Sequence, residues 1–212
     1  RPFPHVANDR AHTRRNVTMK LAEGTFTGLH PDEVELFRTH LKGVKGTGVE
    51  IGCLDGYSSA VILDASELHL TSIDPFVPDS MEASLIGSAA KYAANVAPYG
   101  KRAHLIGDYS FNVANMGVRA TLGYMPKLKD GIDFLFIDGD HTWKAVDQDF
   151  TEWTPHLKSG GTLAIHDARM GREGGANFHE GPSRVARERI FGDPANWEVI
   201  GEAFSLVIAR KR

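Results

Sequence analysis

Residues 48–59 read G-V-E-I-G-C-L-D-G-Y-S-S, and this run constrains the fold more than any other. Val49 and Ile51 have the character of buried residues in a short strand. Gly52 and Gly56 punctuate a loop, and Tyr57 to Asp64 reads as the start of a helix. A strand that enters a helix through a glycine loop makes a ligand site for a physical reason. Glycine lets the backbone approach a ligand with no Cβ in the way. The helix N-terminus adds unpaired N–H groups and a partial positive charge. Glu50, inside the strand, offers a carboxylate to a ligand amine or to a cationic ligand. The spacing is E-x-G-x-x-x-G, with Leu54 where a dinucleotide fingerprint has its middle glycine, which disfavours a standard nicotinamide loop. The plain alternative is a tight strand-to-helix turn that holds nothing.

The rest of the chain repeats strand and helix. His30-Pro31-Asp32-Glu33 opens a helix, with proline in the first turn and acids matched to the helix dipole. Val34, Leu36, Phe37 and Leu41 give it an apolar face. Leu68–Ile73 alternates as a second strand, Glu82–Val96 is alanine-rich and helical, and Ala103–Ile106 is a short third strand. Ile132–Ile137 is an almost unbroken apolar run, the mark of a strand buried on both faces. Thr142–Leu157 reads as an amphipathic helix with Trp143, Val146, Phe150 and Leu157 inward. Thr162–Ile165 is a further strand, Ser183–Phe191 a helix, and Trp197–Ile200 and Phe204–Ala209 a hairpin joined by Gly201-Glu202-Ala203. Gly171–Pro182, glycine-rich and long for a connection, is a candidate lid. The order predicts an α/β, doubly wound sheet with ligands at the C-terminal ends of its strands.

Those ends carry acids: Asp55, Asp74, Asp108, Asp138 and Asp140, then His166-Asp167. Like charges gathered at one edge repel, so their convergence points to hydroxyl recognition, proton abstraction or a divalent cation. Asp74 lies about twenty residues past Gly52, where an acid meets ribose hydroxyls in nucleotide-binding units; a loop or cap acid is the other reading. Asp108 either accepts from an amino group on a base or caps the helix begun at Ser110. Asp138 and Asp167, with His166 or Asp140, could hold Mg²⁺. Asp140 or His141 could instead act as a metal-free general base, or Asp140 or Thr142 could cap the following helix while His141 packs beside Trp143. His179 reads as a solvated loop residue.

Composition narrows the partners. A net charge of −3 supplies no basic field for nucleic acid. The single cysteine, Cys53, fits a reducing compartment. No apolar run reaches membrane-spanning length and no signal pattern is visible. The expectation is a cytoplasmic protein with a small-molecule partner and neither nucleic acid nor membrane. Residues 1–30 read as an N-terminal arm and residues 31–212 as one domain. An arm of this kind covers a site, packs on a second copy, which would make a homo-oligomer, or is a plain surface extension.

The runs V-E-I-G-C-L-D-G-Y-S-S, S-I-D-P, F-I-D-G-D-H-T-W-K-A-V-D-Q-D-F and L-K-S-G-G-T-L-A-I-H-D, with the terminal hairpin, resemble class I S-adenosylmethionine-dependent methyltransferases. More narrowly they resemble the small-molecule branch with the D-G-D-H signature, the macrocin-type O-methyltransferases and cephalosporin-hydroxylase-like proteins. The resemblance implies a Rossmann-like sheet of seven strands, the last antiparallel, and a donor held by Glu50, Gly52, Cys53, Gly56, Tyr57 and Ser58. It implies Asp74 on the ribose, Asp108 near adenine and Asp138 near the sulfonium. Asp140 and His141 become the catalytic candidates, and Asp138, Asp167 and His166 the Mg²⁺ candidates. Residue 166 departs from the family's paired acids, and histidine is a poorer Mg²⁺ ligand than a carboxylate. Phe76, Met81, Trp143, Met170 and Phe178 are candidates to line the acceptor side. A nicotinamide-dependent oxidoreductase and a non-catalytic binding protein are the rival readings; the missing middle glycine, the D-G-D-H stretch and the terminal hairpin disfavour the first, and the acids at several strand ends the second.

Overall fold

The computed structural model describes residues 19–78, 80, 84–115, 131–169 and 179–212. Helix α1, Pro31–His40, begins where the sequence signals a start. The His30 ring accepts from the Asp32 N–H, and the Glu33 carboxylate accepts from the His30 N–H at 2.7 Å. Strand β1, Lys45–Ile51, then leads through the glycine loop into α2, Tyr57–Ala65. Strand β2 is Glu67–Ile73, α3 is Ala89–Val96, β3 is Ala103–Ile106 and α4 is Ser110–Asn115. Strand β4 is Ile132–Ile137, α5 is Trp143–Trp153, β5 is Leu157–Ile165 and α6 is Glu180–Val185. The hairpin β6, Trp197–Ala203, and β7, Leu206–Lys211, closes the chain.

The seven strands lie in the order β3-β2-β1-β4-β5-β7-β6. Only β7 runs against its neighbours, pairing antiparallel with both β5 and β6. This is the Rossmann-like sheet expected from the sequence. Period-two alternation sorts the central strands between two cores. Val49, Ile51, Leu135 and Ile137 face Val146, Phe150, Trp153 and Val185 on one side. Leu68, Leu70, Phe134 and Phe136 face Phe37, Ile62, Leu63 and Tyr92 on the other. Strand order reverses between β1 and β4, so a crevice opens above their C-terminal ends.

Several boundaries differ from the expectation, each for a local reason. The helix expected from Thr142 to Leu157 stops at Trp153, because Pro155 has no N–H to continue it; Leu157 instead pairs with Ile132 as the first residue of β5. Trp143, expected inward, is 40% exposed, with the Arg184 guanidinium 4.2 Å from its ring centre. Helix α3 starts at Ala89 with Ser88 as its cap, not at Glu82. Helix α6 starts at Glu180, not Ser183, and continues as a π-helical stretch over Ala186–Phe191. The expected lid is therefore helical from Glu180, and residues 171–178 lie outside those described. The hairpin turns at Phe204-Ser205, not at Gly201–Ala203. Phe204 takes φ +46°, and Gly201 serves close packing: a Cβ there would lie 2.7 Å from His40 Nε2.

Candidate active site

The glycine loop is fixed by its neighbours before any ligand is considered. Gly52 has φ +81°, and a Cβ on it would fall 2.1 Å from the Asp138 carbonyl oxygen, so only glycine lets β1 and β4 end side by side. Asp74, at the end of β2, accepts from the N–H groups of Cys53 at 2.9 Å and Leu54 at 2.8 Å through Oδ2. Its Oδ1 accepts from Phe76 N–H at 2.7 Å. The carboxylate thus shapes the loop while lining the crevice, with acceptor capacity left for a ligand hydroxyl.

Glu50 has a different place from the one expected. It is fully buried under the loop, away from both cavities described below, and accepts from the hydroxyls of Ser58, Ser59 and Ser72. Burial pushes its carboxyl up to about 7 despite those three donors, and the charge of Asp138 adds to the effect. Glu50 braces the loop and α2 from beneath. Burial likewise raises the Cys53 thiol well above its usual range, which leaves it a neutral wall residue.

Two cavities, each about 300 Å³, meet at the loop. One lies over the ends of β1, β2 and β4, walled by Asp74, Val77, Tyr109, Phe111 and Asp149. The other lies beneath residues 26–29, walled by Phe26, Leu29, Tyr57, His179 and Phe204. Gly52, Leu54, Leu85, Asp138 and His141 line both. The described part of the arm is tied down here: Ala22 N–H donates to Asn95, and Phe26 N–H donates to Asp55 at 3.1 Å.

At the junction the side chains form one ionic cluster. His141 Nε2 lies 3.1 Å from Asp167 Oδ2 and 4.0 Å from Asp138 Oδ1. His166 Nδ1 lies 3.1 Å from Asp138 Oδ1 and 3.5 Å from Asp167 Oδ2. Its Nε2 lies 3.2 Å from Glu33 Oε2, on a side chain that is wholly buried. Glu33 also accepts from the Ser205 N–H at 2.9 Å and the Ser205 hydroxyl at 2.7 Å. Burial of the His166 ring opposes charge, yet Asp138, Asp167 and Glu33 raise its proton affinity well above the usual imidazole range. Burial also works against the Asp167 carboxylate, but hydrogen bonds from His141 and His166 hold it far below the usual range. Asp167 has φ +52°, a left-handed conformation uncommon for a non-glycine residue, which marks a position set by the site.

The structure separates the other acids. Thr142 caps α5 by accepting from Ala145 N–H, and Asp140 braces that cap, accepting from Thr142 N–H at 2.8 Å and from Ser80 N–H at 3.2 Å. Burial raises its carboxyl, but those bonds outweigh it and hold it low, and Asp140 lines the cavity over β1, β2 and β4. Asp108 accepts from Tyr109 N–H and Asn112 Nδ2 as a helix cap and lines neither cavity. Asp149 takes the wall beside it, bonded to Ser110, with its carboxyl pushed by burial to about 7. Asp55 turns away to hold Phe26, Ser88 and Lys91. His179 is no solvated loop residue: it is 8% exposed and stacks on His141 at 4.1 Å between ring centres. Phe76 packs against the core and Trp143 lies outside both cavities, whereas Met81, Met170 and Phe178 lie outside the described residues. Glu33 and Asp149 gave no signal in the sequence, because a capping-box acid and a mid-helix acid look alike whether or not they reach a site.

Mg²⁺ seeks a near-octahedral shell of oxygens. Of the three donors that converge as Asp138, His166 and Asp167, one is an imidazole nitrogen. This set does not fit Mg²⁺.

Comparison with known proteins defines the class. Residues 49–168 match the family model described as a methyltransferase domain, and the chain belongs to that family. A protein of Acanthamoeba polyphaga mimivirus, R132, is 31% identical over 122 residues. That match covers 57% of this chain and 51% of the relative, so the chain spans about half the length of the curated relative it matches. Among solved structures, the O-methyltransferase NovP superposes with a TM-score of 0.60 at 18% identity, over 84% of this chain and 79% of that one. An rRNA methylase from Streptococcus thermophilus gives 0.54 at 14% identity, over 88% and 99%. Identities this low establish a shared fold. No helix among the described residues is long and apolar enough to cross a membrane.

Proposed function

We propose that the chain transfers a methyl group from S-adenosylmethionine to a hydroxyl of a small molecule, of the natural-product sugar or phenol kind. The observation that carries this reading is the junction of the two cavities at Asp138 and His141, on the edge of the glycine loop. The cavity over β1, β2 and β4 takes the donor, with its ribose at Asp74 and its adenine between Tyr109, Phe111 and Asp149. The cavity beneath residues 26–29 takes the acceptor. Its volume, about 300 Å³, and its apolar walls of Phe26, Leu29 and Phe204 suit a small ring better than a polymer. The resemblance to NovP, itself an O-methyltransferase, supports the choice of oxygen.

The reaction is an in-line displacement: the acceptor oxygen attacks the methyl carbon, the carbon–sulfur bond breaks, and S-adenosylhomocysteine leaves. Alignment supplies most of the acceleration. Asp138 places a negative charge beside the positive sulfonium. His141 takes the acceptor's proton, and Asp167, 3.1 Å from its Nε2, stabilises the imidazolium that forms. His179, stacked on the His141 ring, fixes its plane.

Calorimetric titration with S-adenosylhomocysteine, followed by an assay of donor turnover across hydroxylated sugars and phenols, tests the reading. One-to-one product binding and acceptor-dependent turnover are expected. Folded protein that binds no S-adenosylhomocysteine refutes it.

A further inference from the structure

Asp149 offers more than the bond it makes. It sits on α5 and is only 5% exposed, yet it lines the cavity over β1, β2 and β4. Its Oδ1 accepts from the Ser110 hydroxyl at the start of α4, and that one bond is enough to join the two helices. Oδ2 takes no part in it. Among the described residues no group donates to Oδ2, which lies beside the loop after β4, 3.6 Å from where a Cβ on Gly139 would fall. A polar oxygen left unused at this depth costs stability, and a ligand group opposite it removes that cost.

The chemistry of the carboxyl narrows the ligand. Burial pushes it up to about 7, against the bond from Ser110, and the charges of Glu152 and Asp140 add to the rise. Below that pH the group is a neutral acid, with the Ser110 hydroxyl on Oδ1 and the proton on Oδ2. It then sets a donor beside an acceptor. Adenine carries the complementary pair on the edge farthest from its sugar, the N1 lone pair next to the N6 amino group. The surroundings suit a flat base. Tyr109 and Phe111, with ring centres 5.2 Å apart, line the same cavity. Asp108, the acid expected near adenine, lines neither cavity.

We propose that Asp149 reads the donor's adenine through both carboxyl oxygens: the Oδ2 hydroxyl donates to N1, and the N6 amino group donates to Oδ1 beside Ser110. This deepens the methyl-transfer reading, rests on it for the identity of the ligand, and names the residue that selects the base. An ionised carboxylate would not serve, because Oδ2 would then set lone pair against lone pair at N1. An asparagine amide would serve, since it pairs with adenine through the same side-by-side donor and acceptor.

The test is calorimetric titration of the full chain at about pH 6, where the Asp149 carboxyl holds its proton. The ligands are S-adenosylhomocysteine and its 1-deaza and 7-deaza analogues, in which a ring C–H replaces N1 or N7. The 1-deaza analogue should bind about 10- to 100-fold more weakly than the parent, and the 7-deaza analogue within about threefold of it. Asp149→Leu should weaken S-adenosylhomocysteine binding about 10- to 100-fold, and Asp149→Asn should recover most of that loss. The analogue comparison uses the wild type and needs no variant to fold. Equal affinity for the parent and the 1-deaza analogue overturns the inference, as does an Asn variant that binds no better than the Leu variant. If the wild type still binds S-adenosylhomocysteine, those results remove Asp149 from the base and leave methyl transfer standing. Folded wild type that binds none of the three ligands removes both.

Discussion

Glu50→Gln isolates the cost of keeping a carboxyl beneath the donor loop. The folded carboxyl titrates at about 7 against an ordinary 4.5, since no water reaches it and only three hydroxyls solvate it. The folded state therefore binds this proton more tightly than the unfolded chain does. Its contribution to stability is greatest below about 4.5 and is lost as pH rises to about 7. At about 1.4 kcal/mol per pH unit, the loss is about 3 kcal/mol. Glutamine keeps the shape and can still bond the serine hydroxyls, but it carries no titrating proton. Urea unfolding of both proteins between pH 4.5 and 8.5 gives the comparison. The variant should gain about 3 kcal/mol on the wild type across that interval, because every other titrating group is common to both and cancels. Parallel pH profiles would refute the account of Glu50 as a buried, hydroxyl-solvated carboxyl.

Three further outcomes follow from the site. Asp74→Ala should weaken S-adenosylhomocysteine binding about tenfold by calorimetry, since the loop N–H groups of Cys53 and Leu54 lose their acceptor along with the ribose; unchanged affinity would remove Asp74 from the site. Asp138→Ala should cut methyl transfer about 100-fold or more while circular dichroism stays native, and a fully active variant would dismiss its place beside the sulfonium. Gly52→Ala should lower unfolding stability by about 2 kcal/mol or more, given φ +81° and a Cβ 2.1 Å from the Asp138 carbonyl oxygen. An unaltered urea midpoint in that variant would mean the two strand ends can part freely.

The sequence by itself determined the layered order and the edge of the sheet where the site forms. Glycine spacing, alternation in β2, the apolar run of β4 and the acids after each strand are local signals. A parallel sheet turns them into one crevice by geometry alone. Local signals also placed the start of α1 at Pro31 and of α2 at Tyr57. They could not say which acids point inward. Asp55 and Asp108 looked equivalent to Asp138 and Asp167, yet Asp55 anchors the Phe26 backbone and Asp108 caps a helix, a difference set by side-chain direction at the turn.

Only the tertiary structure decided the cluster itself. Glu33 reaches His166 across 133 residues of sequence, and it meets Ser205 across 172, because α1 packs beside the tip of the terminal hairpin. The turn at Phe204-Ser205 takes its place from that contact, which no pattern within the hairpin encodes. His179 joins His141 because α6 packs on α5 closely enough that a Cβ on Gly181 would sit 2.2 Å from the His141 carbonyl oxygen. Periodicity records which face of an element is buried; it does not record what the opposite element brings to that face. Charge pairing at this site is a property of the packed chain, and that is where its chemistry was settled.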